Sequence, residues 1–430
     1  MTNSVFKFVS AMALLVSLAY PLSGQKVLQL SLAEAKDYAT RHNKVLENAG
    51  LAVDEAGMRL RETIAQGLPQ INATVDYNNF FGSKSQLGNF PGFEIEFNPT
   101  SNLSLSVGQL IFSGSYIIGI QTARLFGELT KTSLKKSELE TRMRVTQAYY
   151  LALVAKETNG IVEANLENIR ELLKRTRTMV DVGVTQELDF DQLSVQASML
   201  ENAARATQRQ VELAINMLRL QMGMPAQQEI ELTDNLENIL GTFNFRENIE
   251  TPFSVENNLD YRLVSIQTDV AQKQVQMQRA AYLPTLSGFY NFTQKILKPE
   301  FDMQPKHVIG LNMSIPIFSS GVRQARVSQA RLNLKVAENQ RELVEQQLLI
   351  QEKQLRFNLK SALEQYESQQ KNLEVARRVY NSFNNKFRQG MVSSLDITTA
   401  NNNYLQAENG YISSLLQLLE AHLALETLIH

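Results

Sequence analysis

The chain has 430 residues, 43% hydrophobic and 20% charged, with four histidines and neither cysteine nor tryptophan. Disulfide frameworks, thiol catalysis and cysteine-based zinc sites are therefore excluded, and histidine is too scarce for a rich metal centre. A formal net charge of −2 gives nucleic acid no electrostatic footing. Beyond the N-terminal segment no run approaches the roughly eighteen consecutive apolar residues of a membrane-spanning helix, so any membrane role falls to strands.

Residues 1–24 read as a secretory signal. Lys7 supplies the positive start, residues 8–20 form an almost uncharged apolar run, and Pro21-Leu22-Ser23-Gly24 supplies a break with small residues for cleavage. The run is shorter than the roughly twenty residues that cross a bilayer, which disfavours an N-terminal anchor. Without cysteine there is no site for lipid acylation. The mature chain is expected to begin near Gln25, outside the cytoplasm.

Downstream, helical patterning is expected over 30–66, followed by strands over about 69–80 and 101–112. A long helix is expected from Gly114 to Gly183 and a shorter one over 184–222. After an acidic linker over 226–252, bounded by Pro225 and Pro252, the series returns. It comprises a helix over 255–282, strands over about 284–294 and 306–318, a long helix from Gly321 to Gly390 and a last helix over 391–429. No proline lies between Pro99 and Pro225 or after Pro316, which leaves room for uninterrupted helices. The two long helices, at about 70 residues, would each measure about 100 Å. Pairs of shorter helices stacked end to end would match them, which points to a tube.

The chain is a duplication, with one repeat over 25–225 and a second over 253–430. Ile111-Phe112-Ser113-Gly114 returns as Ile317-Phe318-Ser319-Ser320-Gly321. Ala123-Arg124-Leu125 returns as Ala330-Arg331-Leu332, and the run from Gly183 to Asp189 returns from Gly390 to Asp396. From Gly114 onward the offset is 207 without a gap, whereas Leu68-Pro69 matches Leu283-Pro284 at 215. The first copy thus carries a longer loop between its strands.

In the first strand Ile71, Ala73, Val75 and Tyr77 alternate with Gln70, Asn72, Thr74, Asp76 and Asn78. In the second, Leu103, Leu105 and Val107 alternate with Ser104, Ser106 and Gly108. The second copy sets Leu286, Gly288, Tyr290 and Phe292 against Thr285, Ser287, Phe289 and Asn291, the least regular of the four. It then sets Ile309, Leu311, Met313, Ile315 and Ile317 against Gly310, Asn312, Ser314 and Pro316. Such a period of two fits a half-buried soluble hairpin. The small uncharged polar face, the flanking Phe80, Phe81, Phe90, Phe93, Phe97, Phe112 and Phe318, and the export signal favour outer-membrane strands of about ten residues. Four strands cannot close a membrane barrel, so the chain must associate, as a dimer of eight strands or a trimer of twelve.

Leu355, Leu359, Ala362, Tyr366, Gln369, Leu373, Ala376, Tyr380, Phe383 and Phe387 alternate steps of four and three, a heptad seam. Shifting by 207 gives Ala148, Ala152, Ala155, Asn159, Val162, Leu166, Ile169, Leu173, Thr176 and Val180, again mostly apolar. Helix packs on helix in one register in both copies.

The paired repeats, the Leu-Pro before each first strand, the Phe-Ser-Gly type ending of each second strand and the Gly-to-Asp turn of both copies resemble the TolC family of outer-membrane efflux channels. The resemblance covers nearly the whole mature chain. It implies a long-helix α-barrel, a coiled-coil tunnel through the periplasm, joined to a transmembrane β-barrel formed by a homotrimer with four strands per chain. It implies a passive channel-tunnel in the outer membrane of a Gram-negative bacterium, for tripartite efflux or type I secretion. A periplasmic adaptor (membrane fusion) protein and an inner-membrane RND or ABC pump would be its partners.

The same resemblance assigns Gly183, Val184 and Thr185, with Gly390, Met391, Val392 and Ser393, to the adaptor-docking tip. It assigns Asp189 and Asp396, with Phe387, to the periplasmic entrance. Val392 stands where a gating arginine can occur and Phe387 where a tyrosine can, so apolar contacts rather than a charged network would hold a closed state. From the residues alone, the glycines are helix-ending residues and the aspartates favourable helix-start carboxylates. No cofactor, metal or nucleic acid is expected. His42, His307, His422 and His430 show no ligand spacing and no phosphate-binding loop occurs, so an enzyme is not expected. The competing function is an exported structural coiled coil, a spacer or adhesin without a pore.

Overall fold

The computed structural model describes residues 27–86, 94–298 and 304–429; the expected signal peptide, Phe90 and Phe93 lie outside them. Eight strands and nine α-helices follow in the described residues. They are β1 (Leu28–Leu30), α1 (Leu32–His42), α2 (Lys44–Ala65), β2 (Gln70–Asn78), β3 (Lys84–Gln86), β4 (Glu94–Glu96), β5 (Thr100–Phe112), α3 (Gly114–Asp181) and α4 (Glu187–Met222). After these come β6 (Ile230–Leu232), α5 (Leu236–Gly241), α6 (Phe245–Glu250), α7 (Leu259–Ala280), β7 (Thr285–Leu297), β8 (His307–Ser314), α8 (Val322–Arg388) and α9 (Ser394–Ile429). The chain divides into two compact units. One comprises residues up to Lys44, Glu140–Thr251 and Phe357–Ala424; the other comprises Val45–Leu139, Pro252–Arg356 and the residues from Leu425.

The second unit holds the sheet, in the order β2-β5-β7-β8 with every neighbour antiparallel. Register sorts the side chains as the alternation does, except that Val308 pairs with Asn291 and so stands on the polar face. Ile71 pairs with Val107 and Val107 with Tyr290, which pairs with Ile309, while Asn72 pairs with Ser106 and Ser106 with Asn291. One face is therefore apolar across all four strands, and it is open: Ile309 is 84% and Leu311 72% exposed, and Ile71, Val75 and Met313 are exposed too. The last strand ends at Ser314 rather than near 318, because Pro316 cannot donate to a ladder. The longer first-copy loop contains the small hairpin β3–β4, which the sequence reading did not include.

Along α3 and α8 all ten positions of each copy's heptad seam are buried or half-buried, all but Leu355 of them within the first unit. Two features depart from the sequence reading. The expected helix over 30–66 breaks at Asn43, whose Nδ2 donates to the carbonyl of Gln221 at the end of α4 (2.8 Å). The expected linker is folded: β6 pairs in parallel with β1, and Ile230, Leu232, Leu236 and Ile239 enter a core with Tyr149, Leu153, Leu218 and Met222.

Tyr149, fully buried, ties that core together. Its hydroxyl reaches the carbonyl of Leu30 and Oδ2 of Asp234, both at 3.0 Å, and the same carboxylate oxygen accepts the amide of Leu32 at 2.7 Å. Burial, together with the Asp234 charge, pushes the Tyr149 phenol well above its ordinary range. His422 is a packing residue, enclosed by Phe243 and Phe245 with Asn248 Nδ2 2.6 Å from Nε2. Helix α9 is, among the described residues, long and apolar enough to cross a membrane. Its Leu415, Leu418 and Leu419 are buried within the chain, as in a core helix.

Candidate functional site

Two helix turns carry the expected site residues, and both copies build them the same way. Gly183 (φ +74°) and Gly390 (φ +68°) adopt the left-handed conformation that glycine tolerates without a Cβ penalty. The Gly183 amide donates to Val180 and that of Val184 to Met179; the Gly390 amide donates to Phe387 and that of Met391 to Lys386. These paired bonds satisfy the last carbonyls of each long helix, a Schellman ending. Val184, Met391 and Gly390 are exposed and Val392 is half-buried.

The next helix then begins on its aspartate. In the second copy Asp396 Oδ2 accepts the Ser393 amide (3.0 Å) and hydroxyl (2.7 Å), while the Asp396 amide donates to Ser393 Oγ (3.2 Å). This is a capping box. In the first copy Asp189 Oδ2 accepts the Thr185 hydroxyl (2.6 Å) and the Gln186 amide (3.3 Å). The copies then differ. Asp396 is exposed, whereas Asp189 Oδ1 accepts the hydroxyl of Ser394, a residue only 2% exposed, and so joins the first-copy turn to the start of α9.

Hydrogen bonds set both carboxyls below the usual range. Ser394 and then Thr185 act on Asp189, and Ser393 acts on Asp396. A lowered folded pKa means a contribution to stability that is present above the unfolded value of 3.8 and lost as pH falls through the folded value. Ser394→Ala should therefore bring the Asp189 titration midpoint up toward that unfolded value. Carbon-13 titration of the carboxyl checks this, and an unchanged midpoint would contradict the assigned bond.

Phe387 is buried in the first unit among Leu166, Ile169, Leu193, Tyr380 and Ile397. Its side chain packs within the chain's own core. Ser394 was missed in the sequence because its partner lies 205 residues away; the duplicated Gly-to-Asp turn was the available signal. Among the described residues no group of three or more His, Asp or Glu side chains is placed to hold a metal ion.

Residues 37–224 and 254–429 match the family model described as outer membrane efflux protein. Over 334 residues the chain is 22% identical to the proteases secretion protein PrtF of Dickeya chrysanthemi, covering 74% of this chain and 70% of that protein. It is also 22% identical to outer membrane protein TolC of Salmonella enteritidis, covering 75% of this chain and 66% of TolC. The fold matches the crystal structure of CusC with a TM-score of 0.75 at 18% identity, over 96% of this chain and 95% of that one.

Proposed function

Because this chain belongs to the outer membrane efflux protein family, we propose that it is a passive outer-membrane channel for efflux or secretion, extending into the periplasm. Three copies would join their sheets into one twelve-stranded barrel continuous with a helical tunnel, four strands from each chain. The observation that carries this reading is the sheet itself, which combines an open apolar face with outer edges on β2 and β8 that pair with no other strand among the described residues. In water such a sheet is an aggregation hazard. In lipid the apolar face is solvated, and closure through neighbouring copies satisfies the edges. Helix α8 supports association, since Leu332, Val336, Leu343 and Ile350 form an exposed stripe at heptad spacing.

Planar-bilayer recording on the purified protein, with native mass in detergent, tests the proposal. Stable conductance from a trimer is expected, and a monomeric spacer without current would overturn it. The family is one of channel proteins, in keeping with a function other than catalysis.

At the periplasmic end, the turns at Gly183, Val184 and Thr185 and at Gly390, Met391, Val392 and Ser393 would meet an adaptor fed by an inner-membrane RND or ABC pump. Asp396 would face the entrance as a ring of three carboxylates, with Asp189 and Phe387 holding the turns behind it. A Cβ at Gly390 would meet nothing within 4 Å, so Gly390→Val costs backbone strain alone, about 1–2 kcal/mol. Efflux in cells should fall while bilayer conductance persists. Asp396→Asn should do the reverse, lowering cation preference in a salt gradient while sparing efflux-complex assembly. An unchanged reversal potential would return Asp396 to a capping role only.

A further inference from the structure

One aromatic ring interrupts the polar face of the sheet. Register sets Phe289 of β7 directly between Gly108 of β5 and Gly310 of β8. Its neighbours along the same face of β7 are Ser287 and Asn291, and no other aromatic residue occupies that face of the four strands. A Cβ built on Gly310 would stand 2.6 Å from Cζ of Phe289 and 2.9 Å from Cε1. The ring therefore lies over the Gly310 backbone, in a seat that any side chain at 310 would fill. It is half-buried, so part of its surface stays open on that face.

On that face Leu110 pairs with Ser287 and Val308 with Asn291, so two aliphatic side chains stand diagonal to the ring; the part of the phenyl group they leave open to water is unfavourable in proportion to its area. Covering the glycine recovers part of that, and shielding a glycine in a strand is one reason to place a ring there. The remaining open surface is available to a third party. We propose that Phe289 is a specificity-determining residue of the channel, where three rings at one level of the lumen contact the apolar part of a passing solute. This rests on the reading that the polar face lines the lumen. The seat at Gly310 holds the ring against the wall, so that it offers a surface without blocking the path.

The test uses the purified full-length channel in planar bilayers, with tetraphenylphosphonium as an aromatic probe and tetramethylammonium as a control of equal charge. Tetraphenylphosphonium should reduce the wild-type current, and Phe289→Ser should weaken that block roughly tenfold, the ratio that about 1.4 kcal/mol of lost contact produces. Phe289→Leu, which keeps an apolar side chain but removes the ring, should give an intermediate value. It carries the test by itself if the serine variant forms no pores. Gly310→Ala should lower the single-channel current, because the displaced ring then projects into the path. Tetramethylammonium should act alike on every variant. Equal tetraphenylphosphonium block in wild type and in both Phe289 variants would overturn the proposal and leave the ring as a cover for glycine. A wild-type protein that carries no current would instead overturn the channel reading itself.

Discussion

An arginine at Leu311 should deplete the protein of its outer-membrane, heat-modifiable form, whereas the same arginine one residue later, at Asn312, should leave that form in place. Leu311 is mid-strand on the apolar face, paired with Gly288, and Asn312 is on the polar face, paired with Ser287. Arginine facing lipid near the bilayer midplane costs about 2–4 kcal/mol, and in a trimer three copies incur it together. Facing a water-filled lumen it keeps its hydration. Outer-membrane fractionation and gel migration with and without heating read the difference. Equal behaviour of the two variants would mean that the two faces of the sheet do not divide lipid from water.

Tyr149→Ala should produce the largest loss of stability available from one core residue of the first unit. Removing a fully buried aromatic ring leaves a cavity and typically costs about 3–5 kcal/mol. Here it also withdraws the hydroxyl that meets both the Leu30 carbonyl and Asp234. Tyr149→Phe separates the contributions, since it keeps the ring and removes only the hydroxyl. Both acceptors keep another donor, the Thr233 amide on the Leu30 carbonyl and the Leu32 amide on Asp234, so losing the hydroxyl should cost about 0.5–1.5 kcal/mol and place the phenylalanine variant between wild type and alanine in its thermal midpoint. Limited proteolysis should show the segment around β6 released first, because β1, α3 and β6 meet at this hydroxyl and carboxylate. If phenylalanine matched wild type, the tie would be incidental and the ring alone would matter.

The periodic part of this fold was legible in the amino-acid order. A heptad seam from Leu355 to Phe387 and its copy from Ala148 to Val180 state which helix face is buried, because 3.6 residues per turn convert spacing into direction. The four alternating strands state their two faces for the same reason, with a period of two. Gly183 and Gly390 mark turns because a left-handed residue there favours glycine. The Ser31-to-Glu34 capping box, present in the structure, marks the start of α1 better than the apolar pattern placed it.

What tertiary structure decided was every feature whose partner is distant in the chain. Asn43 breaks a helix without proline or glycine, because the end of α4 accepts its amide from 178 residues away. An acidic stretch between two prolines looks like a linker until β6 finds β1, since two three-residue strands gain their ladder only by meeting. Asp189 and Asp396 occupy equivalent places in the duplication, yet Ser394 bonds one of them, which makes one a tie between turns and leaves the other exposed. Phe289 is an irregularity in a pattern of polar residues until Gly310 is placed opposite it. Local sequence sets direction through backbone geometry; these pairings needed the chain's long-range closure, in which the entropy lost on ordering distant segments is offset by contacts that no local window contains.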